Sequence, residues 1–255
     1  MRKDRAVRLG FVGAGYVAGR HAGSLARLPD VRIGAVADPR ADRALRFAEA
    51  TGARPYGSYG EMLDRESLDA VYICVPPGAH GEPERAVLAR RLPFFVEKPV
   101  ACDLRTAEEI AEAVRAAGVV TATGYHWRYL DTVERAAGLL ADTPPLLVLG
   151  FWLDRTPGTG WWARQDQSGG QLVEQGTHLF DLARLLAGEV EVAHATGAHR
   201  PGAEPGEIHR AVTSTLRFAS GATGAIAATS VLAAGYRIGI EFFCQGRTVC
   251  CPSGS

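Results

Sequence analysis

Three short segments of this chain carry residue types that bind phosphate groups or transfer protons. They are Gly13–Ala18, Glu97–Pro99 and Gly169–Asp181, the last of which contains Glu174 and His178. Glycines at the entrance to a helix let the backbone approach a pyrophosphate. Lysine and histidine side chains exchange protons near neutral pH once their surroundings tune them. Together the segments indicate a nucleotide cofactor combined with acid and base chemistry.

The segment Gly13–Ala18 is the dinucleotide-binding fingerprint in its Ala-ending form. A strand-like run, Leu9–Val12, precedes it, and a helix-like stretch follows. Asp38 ends the next strand-like run, 23 residues beyond Gly15. A carboxylate at this position accepts a hydrogen bond from the ribose 2′-hydroxyl of the cofactor. That carboxylate repels a 2′-phosphate, whereas Arg40 is suited to accept one. The pattern predicts NAD as the cofactor and leaves NADP open.

Two further strand-like runs end in residues suited to a ligand site, because open α/β sheets bind ligands at the carboxyl ends of their strands. Val71–Val75 leads into a proline turn and then His80, which either lines the cofactor pocket or packs at the start of a helix. Phe94–Val96 leads into Glu97 and Lys98. These adjacent charges suit a surface ion pair that closes the strand, but a lysine facing the nicotinamide suits proton transfer, which we favour.

Glu174, His178 and Asp181 lie at positions i, i+4 and i+7 of a strongly periodic stretch. The spacing predicts one helix, Leu172–Ala187, that presents all three on one stripe. Neighbouring carboxylates orient and tune an imidazole that exchanges a proton. The same trio offers metal ligands, but side chains of one straight helix converge poorly on an ion, so we expect no metal.

The apolar runs predict two domains with a boundary near Tyr125. In residues 1–124, β-branched runs alternate with helical stretches, which is typical of a βαβ array with a buried parallel sheet. In residues 125–255, strand-length runs separated by turn signals predict an α+β domain with an open, mostly antiparallel sheet. We therefore expect an α/β fold, a doubly wound Rossmann domain followed by a smaller sheet domain. The predicted strands are Leu9–Val12, Ile33–Ala37, Val71–Val75, Phe94–Val96, Val119–Thr123, Leu146–Leu153, Val190–His199, Ala211–Phe218, Thr223–Val231 and Arg237–Phe243, and the predicted helices are Tyr16–Leu28, Ala41–Ala50, Pro83–Arg91, Thr106–Ala117, Asp131–Ala141 and Leu172–Ala187.

Composition excludes several classes of protein. The 255 residues include 28 Lys+Arg and 28 Asp+Glu without a basic block, which argues against nucleic-acid and membrane-surface partners. Apolar stretches end well short of the ~20 residues that span a bilayer, and no signal-type segment opens the chain. Five scattered cysteines without a C-x-x-C pair indicate neither a disulfide framework nor a zinc ribbon. We expect a soluble, cytoplasmic protein.

In their order along the chain, these motifs resemble those of the glucose-fructose oxidoreductase / inositol dehydrogenase / MocA family. The resemblance rests on the Gly13–Ala18 turn, Pro76–His80, Glu97–Pro99, Gly124–Tyr129 and Gly169–Asp181, and it covers nearly the whole chain. It implies reversible NAD(P)-linked oxidation of a secondary alcohol on a sugar or cyclitol. It also implies that Lys98 is the catalytic lysine, that His178 is the general acid/base and that Glu97 contacts the nicotinamide ribose.

The chain departs from the family pattern at three points. Glu174, which the resemblance adds to the catalytic set, stands where many members have aspartate, and His126 stands where an asparagine is common. The chain is also shorter than typical members. The residues assigned to cofactor contact are Gly13, Ala14, Gly15, Tyr16, Val17, Asp38, Arg40, Val75, Pro76, His80, Glu97, Lys98, His126, Arg128 and Trp162.

The same motifs leave two alternative functions open, and the strand pattern predicts an oligomer. An NAD-dependent glycosidase of the same family, or a non-catalytic cofactor-bound sensor or scaffold, is the alternative to a dehydrogenase acting on a small carbohydrate-like substrate. The last three predicted strands carry more apolar residues than one buried face needs. These residues include Ile226, Val231, Ile238, Ile240, Phe242 and Phe243. We therefore expect a homodimer or homotetramer formed through the C-terminal sheet.

Overall fold

The computed structural model of the chain describes residues 6–252, and Met1–Arg5 and Ser253–Ser255 lie outside the described part. The chain separates into two units, Met1–Gly124 and Tyr125–Ser255.

Six parallel strands form the sheet of the N-terminal unit, in the order β3-β2-β1-β4-β5-β6. The strand order reverses between β1 and β4, which is the position where doubly wound sheets open a ligand crevice. The predicted Rossmann fold is confirmed. Its elements are β1 (Val7–Val12), α1 (Tyr16–Leu25), β2 (Val31–Ala37), α2 (Ala41–Thr51), β3 (Arg54–Tyr56), α3 (Tyr59–Arg65), β4 (Ala70–Ile73), α4 (Glu82–Ala89), β5 (Phe94–Val96), α5 (Leu104–Ala117) and β6 (Thr121–Thr123).

Burial on both faces explains why the strands of this sheet are apolar without alternation. Phe11 and Val36 are fully buried in one hydrophobic cluster, and Val71 and Ile73 are fully buried in another. Helices α2 and α5 end at Gly52 and Gly118, which adopt the left-handed conformation. Strand β3 and helix α3 were not predicted, because the short segment Arg54–Tyr56 offers no apolar run.

The C-terminal unit contains a second six-stranded sheet, in the order β12-β11-β7-β10-β9-β8. Its neighbours pair antiparallel except β7 and β10, which run parallel, so the expected mostly antiparallel sheet is confirmed. Its elements are α6 (Asp131–Ala141), β7 (Leu147–Leu153), α7 (Gln165–Ser168), α8 (Gln171–Glu174), α9 (Thr177–Ala187), β8 (Val190–Ala198), β9 (Ala211–Phe218), β10 (Thr223–Thr229), β11 (Arg237–Cys244) and β12 (Arg247–Pro252).

Helices α6 and α9 cover one face of this sheet. Leu179 and Leu182 of α9 lie in the same buried cluster as Ile226, Ile240 and Phe242 of the strands. Three of the six apolar residues noted on these strands therefore lie on the covered face and are not available for a contact with a second copy. Side chains alternate along a strand, and the chain places these three on the covered face.

The opposite face of the sheet is mixed in character. On β9 it carries the exposed residues Thr213, Thr215 and Arg217. On the central strand β7, Val148 is fully buried on the covered face, whereas Leu149 and Phe151 are on the other face and only partly buried. The open face is thus polar along β9 and apolar at these two positions of β7.

The predicted single helix Leu172–Ala187 is also wrong. It is divided into α8 and α9 by a turn at Gln175 and Gly176. The Gly176 N–H bonds to the carbonyl of Gln171, five residues back, so the regular ladder is interrupted. Glu174 and His178 consequently belong to two different helices.

The cysteines, the helices and the metal-binding side chains of the described residues have the following properties. All five cysteines are free thiols, and burial raises the pKa of both Cys74 and Cys251. Within residues 6–252, no helix combines the length and apolarity needed to cross a membrane. The same residues contain no group of three or more His, Cys, Asp or Glu side chains arranged to hold a metal ion.

Candidate active site

The turn between β1 and α1 has no room for a side chain at its first glycine. Gly13 has φ +93°, and a Cβ atom there would lie 2.3 Å from the carbonyl oxygen of Cys74. Gly15 forms the N-cap of α1, and a Cβ at that position would meet open space. The unpaired N–H groups at the start of α1 attract an anionic group. The turn therefore has the form that a pyrophosphate requires.

Asp38 follows β2 and is held by two backbone N–H groups. Its Oδ2 accepts from Ala14 at 2.9 Å and its Oδ1 accepts from Arg40 at 2.9 Å. The side chain is largely buried, so the carboxylate has a fixed orientation beside the glycine turn. The Arg40 guanidinium instead bonds Asp42 at 3.2 and 3.0 Å. These hydrogen bonds lower the pKa of Asp42 to about 2 and raise that of Arg40.

A cleft of about 680 Å³ opens at the carboxyl ends of β1, β2 and β4. The exclusion of a side chain at Gly13 and the fixed carboxylate of Asp38 fit a dinucleotide there. Tyr16 and Val17, also predicted to contact the cofactor, are exposed in the first turn of α1 and are not part of the lining. The predicted cofactor residues that do line the cleft are Gly13, Gly15, Asp38, Arg40, Val75, Pro76 and His80.

The Glu97 carboxylate is fixed at the end of β5 by two contacts, one through each oxygen. Its Oε1 lies 2.7 Å from Nε2 of His21 on α1, and its Oε2 accepts the Lys98 backbone N–H at 3.0 Å. A Cβ added to Gly124 would lie 2.9 Å from the Glu97 carboxyl carbon, so the carboxylate can occupy this position only because residue 124 has no side chain. The peptide bond between Lys98 and Pro99 is cis.

His178 of α9 lies among aromatic rings of the C-terminal unit. Its imidazole stacks on Trp127 with ring centroids 4.9 Å apart and planes 14° apart. The Tyr125 and His126 rings pack edge to face with the imidazole, with ring centroids 6.0 and 5.1 Å from its own. Trp127 also stacks on Trp152. His178 is 4% exposed, so its ring plane is set by packing.

The remaining predicted residues of this unit pair with one another. Arg128 donates two hydrogen bonds to Asp181, at 2.7 and 2.6 Å, which raise the pKa of Arg128. Glu174 accepts from the indole N–H of Trp162 at 3.1 Å. Trp162 is 1% exposed, so it holds Glu174 from within the unit.

Three residues with direct contacts to predicted site residues were missed from the sequence. They are His21 beside Glu97, Glu84 beside His80 and Trp127 beside His178. A histidine in the fingerprint helix and an indole within the segment of His126 are unusual enough to be noted. Which partner each one meets depends on tertiary packing.

The parallel sheet, its glycine turn and the cleft define a dinucleotide-binding domain followed by a sheet domain. Residues 7–125 match the family described as "Oxidoreductase family, NAD-binding Rossmann fold", and residues 146–249 match the GFO/IDH/MocA C-terminal domain. The chain belongs to the Gfo/Idh/MocA family of oxidoreductases, with NAD as the cofactor of its Rossmann domain. The resemblance inferred from the motifs is confirmed.

Individual relatives agree with this assignment. The chain is 30% identical over 243 residues to the uncharacterized oxidoreductase YrbE of Bacillus subtilis, covering 92% of this chain and 70% of that protein. It is 28% identical over 246 residues to myo-inositol 2-dehydrogenase of Thermotoga maritima, covering 93% and 72%. The crystal structure of GenD2 from gentamicin A biosynthesis in complex with NAD is similar in fold, with a TM-score of 0.91, 24% identity, and coverage of 99% and 74%.

Proposed function

We propose that this oxidoreductase interconverts a secondary alcohol and a ketone on a sugar, cyclitol or related polyol. The observation that carries the proposal is the fixed Glu97-Lys98 corner at the carboxyl end of β5, the edge at which parallel sheets of this kind bind ligands. The relative from Thermotoga maritima is a myo-inositol 2-dehydrogenase, and another relative, from Bacillus subtilis, is a scyllo-inositol 2-dehydrogenase. Both names support a polyol substrate.

Lys98 and His178 are the two groups to which we assign proton transfer. NAD, when bound, supplies the hydride transfer itself. Glu97 holds the Lys98 backbone through the 3.0 Å hydrogen bond and is proposed to contact the nicotinamide ribose. The stacking of His178 on Trp127 fixes the plane in which the imidazole gives or takes a proton. Glu174, held by Trp162, is proposed to complete the relay.

A screen of polyols tests the proposal. Purified protein is mixed with sugars, cyclitols and their keto forms, with NAD and NADP in parallel, and NADH or NADPH absorbance is followed. We expect turnover with at least one polyol and a clear preference for NAD. The variant Lys98→Met is the matched control, because it should bind the cofactor and fail to turn over the same substrate.

Two results would replace the proposal. Release of an aglycone from a glycoside, without net accumulation of NADH, would assign the chain to the NAD-dependent glycosidases. Tight binding of NADH without turnover on any member of the panel would assign it to a sensor or scaffold.

We further propose that the C-terminal unit contributes substrate contacts and self-association. On the open sheet face, Leu149 and Phe151 of β7 are apolar and only partly buried, with Glu241 paired across from Leu149 and the Arg237 guanidinium over the Phe151 ring. The two apolar side chains support a contact with a second copy. The expected state is a dimer or tetramer. A cytoplasmic location is proposed on the free state of the cysteines, which suits a reducing compartment.

A further inference from the structure

His80 and Glu84 form a hydrogen-bonded pair that is closed to solvent on the wall of the cofactor cleft. Nδ1 of His80 lies 2.6 Å from Oε1 of Glu84, and both side chains are 0% exposed. Oε2 of Glu84 accepts the backbone N–H of Gly81 at 2.6 Å. His80 lines the cleft, and its second ring nitrogen, Nε2, is buried with no hydrogen-bond partner among the described residues.

The charges around the pair decide where its proton lies. Within the part of the chain that the structure describes, His80 is the only ion-pairing partner of Glu84. Arg85, the next residue of α4, pairs with Glu109 instead. Glu82 carries the same sign as Glu84. Burial, followed by these two carboxylates, raises the pKa of the nearby Tyr59, and the Arg85 guanidinium, which lies beside Gly81, opposes this shift. No cation other than His80 pairs with Glu84 in the described part of the chain, so a net negative charge on the pair would be buried without a bonded counter-charge, which is unfavourable.

Two arrangements of the pair are electrically neutral. In one, an imidazolium of His80 faces a carboxylate of Glu84. In the other, a protonated Glu84 donates to Nδ1 of a neutral imidazole. A hydrogen atom is present on Nε2 in both arrangements. Only the net negative form would leave Nε2 as an acceptor, so electroneutrality makes this atom a hydrogen-bond donor.

We propose that Nε2 of His80 donates a hydrogen bond to an oxygen atom of the bound dinucleotide, and that Glu84 is the positioning residue that keeps the donor in this state. Buried N–H groups without an acceptor are rare in folded proteins, and phosphates and ribose hydroxyls are rich in acceptors. The ring is closed to water in this structure, so the contact includes a small adjustment of the loop Pro76–His80. This inference rests on the NAD cofactor and not on the substrate class.

Two substitutions of Glu84 separate positioning from packing. In Glu84→Gln, the amide oxygen still accepts from Gly81 and the NH₂ group donates to Nδ1 of His80, which leaves the hydrogen on Nε2. In Glu84→Met, a side chain of similar length fills the space without a hydrogen bond, so the imidazole is free to tilt or change tautomer. The double variant H80L/E84M removes the donor and leaves no buried charge unpaired.

Titration of NADH by fluorescence measures the effect without any substrate. We expect Glu84→Gln to bind NADH within about twofold of the wild type. Glu84→Met and the double variant should bind about tenfold more weakly, which corresponds to about 1.4 kcal/mol. Thermal unfolding of each variant shows that it is folded. Unchanged NADH affinity in the double variant overturns the proposal.

Nitrogen NMR of the histidine rings tests the proton position independently, even if the double variant does not fold. We expect a hydrogen on Nε2 of His80 in the wild type and in Glu84→Gln, and a shift of this resonance when NADH is added. An Nε2 without hydrogen in the wild type, or a resonance that NADH leaves unmoved, contradicts the proposal.

Shorter ligands identify the oxygen that accepts. A tenfold loss with AMP in the double variant assigns the contact to the adenosine half. A loss with ADP-ribose but not with AMP assigns it to the second phosphate or second ribose, and a loss with NADH alone assigns it to the carboxamide. Because these ligands are measured by binding, a failure of the polyol screen leaves this test intact.

Discussion

Nε2 of His21 lies 2.7 Å from Oε1 of Glu97 and so connects helix α1 to the end of strand β5. The His21 and Phe95 rings pack edge to face with centroids 4.9 Å apart, which holds the imidazole in place. The second oxygen of Glu97 accepts the Lys98 backbone N–H. The helix that carries the glycine fingerprint and the proposed catalytic lysine are thus held by one carboxylate.

Gly124→Ala should displace this carboxylate. The new Cβ would lie 2.9 Å from the carboxyl carbon of Glu97, and overpacking of this kind costs about 1–3 kcal/mol of unfolding free energy. NADH affinity should fall at the same time, because Glu97 is proposed to contact the nicotinamide ribose. Chemical denaturation and NADH titration measure the two effects. Gly23→Ala in α1 is the control, because the new Cβ would meet open space. This substitution should stabilise the helix by about 0.5–1 kcal/mol. Equal behaviour of the two variants would contradict the prediction.

Asp38→Ser should reduce the preference for NAD over NADP. The Asp38 carboxylate is fixed by the N–H groups of Ala14 and Arg40, where it repels a 2′-phosphate. We expect the wild type to bind NADH at least about tenfold more tightly than NADPH, a difference of about 1.4 kcal/mol, and the variant to lose most of it. Fluorescence titration with both cofactors checks this, with the exposed Glu49→Ser as control. Equal affinities in the wild type, unchanged in the variant, would remove Asp38 from cofactor selection.

Lys98→Met and His178→Ala should each slow hydride transfer while cofactor binding stays largely intact. Loss of a group that transfers a proton lowers the rate by about 10²–10⁴. Single-turnover formation of NADH with a substrate found in the screen measures the rate, and fluorescence measures affinity separately. His194→Ala, at an exposed position of β8, is the control. A rate within a few-fold of the wild type excludes the substituted residue from the mechanism.

Glu66→Gln should destabilise the N-terminal unit in a pH-dependent way. The Tyr56 hydroxyl donates to Glu66 at 2.6 Å, and Arg8 and Arg54 pair with it. The Tyr56 hydrogen bond is the largest cause of the lowered pKa of Glu66. A lowered folded-state pKa stabilises the fold above the unfolded pKa of about 4.3, and the effect is lost as the pH falls through the folded value.

The expected loss of unfolding free energy for Glu66→Gln is about 1–2 kcal/mol near pH 7. The difference from the wild type should shrink below about pH 4, as the carboxyl group becomes protonated. Urea denaturation at several pH values measures it. A difference that is constant from neutral to acidic pH would show that the charge of Glu66 contributes nothing.

Light scattering after size exclusion should give a mass of two or four chains. One chain has a mass of 27.1 kDa. Leu149→Glu, on the open face of β7, should shift the protein toward the monomer, because it places a charge at the proposed contact. Leu45→Glu, at an exposed position of α2, should not. A monomeric wild type would mean that other parts of the chain cover this face.

The local parts of the site could be predicted from the sequence because their geometry is set within a few residues. The Gly13 turn requires a positive φ and a close backbone approach, and only glycine meets both conditions. The C-cap glycines and Asp38 at the end of β2 follow from similar local rules. Each concerns a segment whose neighbours in space are also its neighbours along the chain.

The rest depends on contacts between distant segments. His21 and Glu97 are 76 residues apart, and no periodicity in either segment indicates the other. The break between Glu174 and His178 depends on close packing at Gly176, where a Cβ would lie 3.0 Å from Leu172. Hydrophobic spacing alone favours an unbroken helix there, because it reports the buried stripe and not the backbone hydrogen bonds.

The position of β7 also has a consequence for how the C-terminal unit folds. This strand pairs on one side with β10 and on the other with β11, and both follow it by many residues. Gly150 of β7, for example, lies beside Ile226 and Ile240. During synthesis the apolar strand Leu147–Leu153 emerges long before either neighbour, so both of its edges stay open until the last third of the unit has been made. Such long-range pairing slows folding, and the unpaired edges of this apolar strand expose the nascent chain to aggregation.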